Sequence, residues 1–379
     1  MILTIQMVCH FHKISPFKPL KHLPLQILQG KVYKPNLSLV ECVGVWKGVI
    51  RLRIGLIDVD SHRFPNLPLM KISAYHKAKG DSVEWYEPLF HSMGEPLDIV
   101  YMSRVFGDEY SSDYPYCVNA KQVIKGGTGY HIKVVDGAEV FDKENHKNLP
   151  EEIEHMYPDY SLYPEYTKDT AYGFLTRGCC NDCSFCIVSK KEGRCSKKVA
   201  DLSEWWNRQK KIKLLDPNIL AFKDHMDLLK QLVDSKAKVD FTQGLDARFV
   251  NEENLALLKQ IDIEMLHFAF DFMKFEKQII KGLSLAKEVL QISGRDCIVY
   301  MLTNYDTTIE EDLYRISKIR EIGFAPDVRI YRKESLPHPH ILRDLQRWCN
   351  NRFLYRSCDF MDYVPRSDGK KIREIYFKE

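Results

Sequence analysis

The sequence predicts an α/β protein in two parts, an N-terminal doubly wound parallel sheet followed by a partial, TIM-like (β/α) barrel. Three observations predict it. From Arg53 onward, short apolar runs alternate with stretches of helical period, the order that parallel strands joined by helices leave in a sequence. A segment rich in proline, tyrosine and charge then interrupts the alternation. Beyond it the alternation resumes for six βα units, enough for an open or partial barrel.

The composition permits such a fold and excludes others. The 379 residues carry 55 Lys plus Arg against 52 Asp plus Glu, a formal charge of +3, which matches neither a nucleic-acid coat nor an acidic tail. With 45% hydrophobic and 28% charged residues the chain is not disordered as a whole. At roughly 100 to 200 residues per domain, the length suggests two or three domains.

In chain order, residues 1–51 form an N-terminal extension, apolar and dotted with histidine and proline, with no helical or strand period. Either this extension is disordered or its start is mis-called, translation beginning near Val49 or Leu52 at a non-ATG codon. A genuine extra strand or arm is the alternative. Residues 52–145 hold the doubly wound domain: RIGLIDVD from Arg53 reads as a strand, 67–79 as a helix, and SVEWYEP, LDIVYMSRVF and KQVIKGGTG as further strands. Ligands of such sheets bind beyond the C-terminal ends of the strands, here near Asp58, Asp60, Val105 and the turn Gly126-Gly127-Thr128-Gly129. That turn could approach a cofactor or be structural; it is neither GxGxxG nor a P-loop. Residues 146–164 read as a linker with a short helix at 151–156. Residues 165–335 hold the second unit, with strands at 171–176, 212–220, 239–243, 265–270, 297–303 and 328–331, and helices that include 224–234, 252–259 and 308–322. Residues 336–379 read as a helical C-terminal extension.

Eleven cysteines is an odd number, and four of them crowd into Cys179, Cys180, Cys183 and Cys186, which reads as metal ligation rather than a disulfide framework. The N-terminus lacks the parts of a signal peptide and no run of about 18 apolar residues occurs, so the expected setting is a reducing cytoplasm, without a membrane. In GFLTRGCCNDCSFCIVSKKEGR, Cys179, Cys183 and Cys186 stand at Cys-x3-Cys-x2-Cys, with Phe185 before the last. Soft thiolates favour iron-sulfur clusters or zinc, and three on one loop leave a metal corner open for chemistry.

This loop resembles the signature of the radical S-adenosylmethionine (SAM) superfamily, Cys-x3-Cys-x-aromatic-Cys after the first strand of a partial barrel. The resemblance implies that Cys179, Cys183 and Cys186 bind a 4Fe-4S cluster whose unique iron is chelated by the amino and carboxylate groups of SAM, with Phe185 near the adenine. It further implies that an electron, from a reductant such as flavodoxin or ferredoxin, cleaves SAM to a 5′-deoxyadenosyl radical that abstracts hydrogen from the substrate. Where many members carry Gly-Gly-Glu to hold the SAM amino group, this chain has Leu215-Asp216-Pro217-Asn218, so Asp216 and Asn218 are the polar side chains on offer. In QGLDARF, Gln243, Asp246 and Arg248 fall at the C-terminal edge of the third strand; Arg248 could pair with the SAM carboxylate and Asp246 could reach the ribose or orient the arginine, a surface salt bridge being the alternative. His267, Asp271 and Asn304 could face substrate or cap helices.

The first domain resembles the cobalamin-binding-like domain that precedes many such barrels, and Asp60-Ser61-His62 supplies the Asp and His of the cobalt-ligating motif but Pro65 where glycine belongs. Cobalamin, if bound, implies methyl transfer to an unactivated carbon. The tRNA methylthiotransferases look similar around the cysteines but need three cysteines in the first domain, and between Arg53 and Pro150 only Cys117 is present. Two other classes stay open. In one, Cys180, Cys183, Cys186 and Cys195 hold structural zinc, and a basic surface around Lys190, Arg194, Trp205 and Trp206 binds nucleic acid or an anionic substrate. In the other, the protein is a scaffold that binds SAM without turnover. Cys349 and Cys358 read as buried thiols.

Overall fold

The computed structural model describes residues 51–61, 64–108, 110–135, 138–367 and 369–377. The readings made for residues 1–50 and for His62 fall outside the described residues.

The first sheet has four parallel strands, β1 (Arg53–Asp58), β2 (Ser82–Trp85), β3 (Leu97–Ser103) and β4 (Ala120–Gly126), in the order β2-β1-β3-β4. The order reverses direction between β1 and β3, as in a doubly wound sheet. Ile54 and Leu56 point to one face and pack on helix α1 (Leu67–Ala78), which Asn66 caps by accepting a hydrogen bond from the Leu69 amide at 3.3 Å. Ile57, on the other face, packs with Tyr86, Leu97, Val100 and Met102 under loop residues Tyr114 and Val118 rather than under a helix. Between β2 and β3 lies only the single turn α2 (Pro88–His91), and the described residues of the connection from β3 to β4 form no helix, because its Tyr-, Ser- and Pro-rich sequence has no 3.6-residue apolar period.

At the glycine turn after β4, Gly127 has φ 95° and a Cβ there would lie 2.2 Å from the Arg104 carbonyl oxygen; the turn is built to pack against the loop after β3. It leads into an antiparallel hairpin, β5 (Ile132–Val135) and β6 (Ala138–Phe141), that the sequence reading missed. Ile132 and Phe141 bury against Phe106, and Ile187 of the cysteine loop packs on the same cluster. The short helices α3 (Glu151–Glu154) and α4 (Pro164–Thr167) then lead into the second unit.

There, β7 (Thr170–Gly173), β10 (Lys211–Leu214), β11 (Lys238–Phe241), β12 (Asp262–Ala269), β13 (Cys297–Thr303) and β14 (Ala325–Ile330) make one six-stranded parallel sheet in chain order, with β7 and β14 as its edges. The two-residue strands β8 (Thr176–Arg177) and β9 (Lys197–Lys198) pair with each other, flanking the helix α5 (Val188–Glu192). A singly wound, open sheet thus stands where a partial barrel is expected. The first strand ends at Gly173 and the second at Leu214, six residues short of its expected end. Beyond Leu214, Asp216 and Pro217 turn the chain, and Ile219 and Leu220 are buried in a 3-10 turn instead.

Helices α6 (His225–Ser235), α7 (Glu252–Leu258), α8 (Glu276–Leu290) and α9 (Ile309–Ile322) connect successive strands, α7 and α9 opening with capping boxes at Asn251 and Thr308. Helices α10 (Ile341–Asn350) and α11 (Arg352–Ser357) follow β14, and Leu345, Trp348 and Cys349 join the same core as the sheet. The Asn350 side chain accepts from the Val328 amide at 2.8 Å, while Gln346 donates to the Val328 carbonyl at 2.9 Å. At Val328 the edge strand's backbone N–H and C=O are thus satisfied by a helix's side chains. No helix among the described residues is long and apolar enough to cross a membrane.

Candidate functional site

Every strand of the second sheet ends on one rim, and the loops after β7, β10, β11 and β12 enclose a cleft of about 380 Å³ there. Cys179, Cys180 and Cys183 line it together with Asn181, whereas Cys186 does not; Asn218 arrives from beyond β10, Gln243, Asp246 and Arg248 from beyond β11, and Asp271, Phe272, Lys274 and Phe275 from beyond β12.

The polar centre is a closed network. Arg248 donates through Nε to Asp246 Oδ1 at 2.9 Å and through Nη2 to Oδ2 at 2.6 Å, a bidentate pair. Asn181, on the cysteine loop, locks into both: its Oδ1 accepts from Arg248 Nη2 at 2.6 Å and its Nδ2 donates to Asp246 Oδ2 at 3.0 Å. The Arg248 guanidinium lies 4.3 Å from the centre of the Phe275 ring. Burial alone would raise the Asp246 carboxyl, but the hydrogen bonds from Arg248 and Asn181 hold it below the usual range. The hydrogen bonds of the described residues use Nε and Nη2 of Arg248, so Nη1 is left for a ligand.

Asn218 is 2% exposed; its Nδ2 donates toward Cys179 Sγ at 3.7 Å and Asp246 Oδ2 at 3.4 Å, and its Oδ1 is buried without a partner among the described residues. A buried orphan acceptor costs about 1–3 kcal/mol, so this oxygen is suited to a ligand N–H or ammonium. Asp216 sits elsewhere. Its carboxylate accepts from the Leu175 amide at 2.7 Å and from the Thr176 amide and hydroxyl, both at 2.6 Å, so it ties the β10 loop to the β7 loop and does not line the cleft. Burial outweighs those bonds and pushes it up to about 7.

Phe185 stands outside the cleft lining, stacked on Phe272 at 5.8 Å and edge-on to Tyr305 at 5.1 Å. His267 is buried against Tyr300 with Nδ1 3.0 Å from the Phe241 carbonyl oxygen, and Asn304 donates to the Tyr331 carbonyl; neither lines the cleft. Asp271 does, accepting from the Leu302 amide at 2.8 Å, and burial raises its carboxyl. Trp205 is buried in the core and Trp206 packs beside it, while Arg194 pairs with Asp182. Asp60 is buried with its carboxylate on the amides of Val105 and Phe106, and Cys349 is buried and Cys358 half-buried.

Asn181, Lys274 and Phe275 escaped the sequence reading. Asn181 could have been found from its place between the first two cysteines; Lys274, set between Phe272 and Phe275, has no signal beyond being a cation among rings.

Burial raises the Cys179 thiol, and raises Cys183 to about 12 with the nearby Cys186 and Asp271 charges adding to it; a metal bound at either sulfur would favour the thiolate and oppose that shift. Among the described residues no three His, Cys, Asp or Glu side chains converge to hold a single ion. A multi-iron cluster instead spreads its thiolates over separate irons. Cys179 and Cys183 at the cleft, an amide N–H directed at the Cys179 sulfur and an orphaned acceptor beside it are donors that suit a cluster with a chelating ligand, while Cys186, the third cysteine of the loop, does not line the cleft.

No known protein family's sequence profile matches the chain, and no curated protein matches it. Among solved structures it is similar to SuiB of Streptococcus suis bound to S-adenosylmethionine, at 14% identity over 50% of this chain and 48% of that one with a TM-score of 0.37. SuiB bound to the precursor peptide SuiA matches at 14% identity over 52% and 48%, with a TM-score of 0.35. The chain spans about half the length of the solved structures it matches.

Proposed function

We propose that this chain is a radical SAM enzyme that holds a 4Fe-4S cluster on Cys179, Cys183 and Cys186. The observation that carries this reading is that two cysteines of a Cys-x3-Cys-x2-Cys loop, set after the first strand of a singly wound parallel sheet, open into one cleft with Asn218, Gln243, Asp246 and Arg248. On this reading the sheet is a partial barrel spanning residues 165–335, joined by residues 146–164 to a domain of residues 52–145 and extended by residues 336–379.

When bound, the cluster and SAM supply reductive cleavage of a sulfonium and a hydrogen-abstracting radical. The chain's own residues bind and orient. Asn218 Oδ1 takes an N–H of the SAM ammonium, and Arg248 Nη1 takes a carboxylate oxygen while Asp246 and Asn181 fix the guanidinium plane. Gln243 adds an amide at the same rim, and Phe185 braces the wall through Phe272. Asp216 contributes by setting the loop that carries Asn218. Phe272 and Phe275 exclude water from the reacting end. Lys274, which has no ion pair among the described residues, faces that end and suits an anionic substrate. A flavodoxin- or ferredoxin-type donor supplies the electron, and a reducing cytoplasm keeps the thiols free. Cobalamin has no part in the proposal: of the Asp60-Ser61-His62 triplet, Asp60 holds the Val105 and Phe106 amides, and His62 lies outside the described residues.

The test uses protein reconstituted without oxygen. SAM and dithionite are added and 5′-deoxyadenosine is quantified for the wild type and Cys183→Ala. Formation in the wild type alone supports the proposal. Absence of product from a zinc-bearing, iron-poor protein moves the reading to the nucleic-acid-binding alternative.

A further inference from the structure

The cysteine loop leaves β8 at Arg177 and returns through α5, and its two ends meet at a neck. The Cys179 amide donates to the Gly193 carbonyl at 3.2 Å. Gly178, at φ 86°, is packed so closely that a Cβ would lie 2.2 Å from the Cys195 carbonyl oxygen, so the two sides of the neck touch backbone to backbone. One side chain spans this contact. Glu192, its side chain 6% exposed, accepts the Gly178 amide on Oε2 at 3.1 Å and Arg177 Nη1 on Oε1 at 3.3 Å, with Lys191 Nζ 3.9 Å from the same Oε1.

We propose that Glu192 is the positioning residue of the cysteine loop: its carboxylate closes the neck and so fixes where the thiols of Cys179 and Cys183 stand. The physical case has three parts. A buried carboxylate accepting a backbone N–H and a guanidinium makes charge-assisted bonds, roughly twice as strong as neutral ones. Its loss leaves the Gly178 amide unsatisfied at the residue next to Cys179. It also leaves Arg177 and Lys191 facing each other without the anion between them. The cations are anchored outside the loop: Arg177 Nη2 lies 3.8 Å from Glu154, itself paired with Lys71 of α1 at 2.8 Å, and Lys191 donates to Thr128 Oγ1 of the glycine turn at 2.9 Å. The glycine turn of the first sheet thereby acquires a role, as an abutment for the loop rather than a cofactor cradle. The cofactor consequence rests on the function proposed above; the geometry of the neck does not.

The experiment starts with metal-free full-length protein, wild type, Glu192→Gln and Glu192→Ala, alkylated with iodoacetamide at fixed pH, with each cysteine followed by mass spectrometry. Cys117 is the exposed reference, and buried Cys297 and Cys349 report global unfolding. Glu192→Ala is expected to speed alkylation of Cys179 and Cys183 about tenfold relative to Cys117, and Glu192→Gln, which keeps a neutral acceptor for Gly178, by less. An unchanged ratio overturns the proposal, as does a rise at Cys297 and Cys349 that matches the rise in the loop. In the second arm, each protein is loaded anaerobically with iron and sulfide and challenged with EDTA. Faster iron loss from Glu192→Ala, with an altered electron paramagnetic resonance signal, is expected. A wild type that takes up no iron sinks the cofactor reading, while the alkylation ratio still decides Glu192.

Discussion

Asn218 and Asp216 are two residues apart and do opposite work. One leaves a buried oxygen without a partner beside the cysteines; the other spends both carboxylate oxygens on three donors. Asn218→Ala should leave stability nearly unchanged and weaken SAM binding about tenfold in equilibrium dialysis, because the orphan acceptor is removed along with its ligand contact. Asp216→Ala should cost about 3 kcal/mol in urea denaturation, since three buried donors lose their acceptor. Its ionisation has a sign that can be checked. The carboxyl is held near 7 in the fold against about 3.8 when unfolded, so the folded chain keeps a proton that the unfolded chain gives up. Stability should therefore fall as pH rises from about 4 to 7, by at most about 1.4 kcal/mol per unit, and Asp216→Asn should remove that slope. Both residues were legible from their place after a strand, but their division of labour was not. Sequence shows which polar residues reach a rim, whereas burial and the backbone amides of β7's loop decide which one is free.

At the scale of elements, the strand and helix cores were readable and their ends were not. The period of 297–303 matches β13 residue for residue, whereas the apolar run 212–220 splits because its second half is buried as a turn. Apolar character reports burial, and burial does not require a strand. The β5 and β6 hairpin escaped because Lys133, Val134, Val135 and Val140 face solvent, so that among its described side chains only Ile132 and Phe141 carry a core signal. The sealing of β14 by Gln346 and Asn350 depends on contacts across eighteen or more positions, which no local pattern encodes. Asn350→Ala should lower stability by about 1 kcal/mol and speed amide exchange at Val328, measured by hydrogen-exchange mass spectrometry, with the exchange of β12 unchanged.

Across the whole molecule, the two sheets were foreseen from alternation alone, and what joins them was not. Lys71, Glu154, Arg177, Glu192, Lys191 and Thr128 form a chain of side chains from α1 to the glycine turn that passes through the cysteine loop. In the sequence the five charged members each read as an ordinary surface charge and Thr128 as a turn residue, and only their assembly shows the path. Calorimetry should give one unfolding transition for the intact protein, since opening either unit breaks this chain; two well-separated transitions would show that the units unfold independently.

The singly wound order of the second sheet has an electrical consequence. Because α6, α7, α8 and α9 each connect one parallel strand to the next, their N-termini lie toward the end of the sheet where the strands finish; of these, the start of α8, with Phe275 as its cap and Ile279 in its first turn, lines the cleft and points the positive end of its peptide dipoles toward it. The rim is therefore a place where the protein's own backbone lowers the cost of adding an electron to whatever is held there.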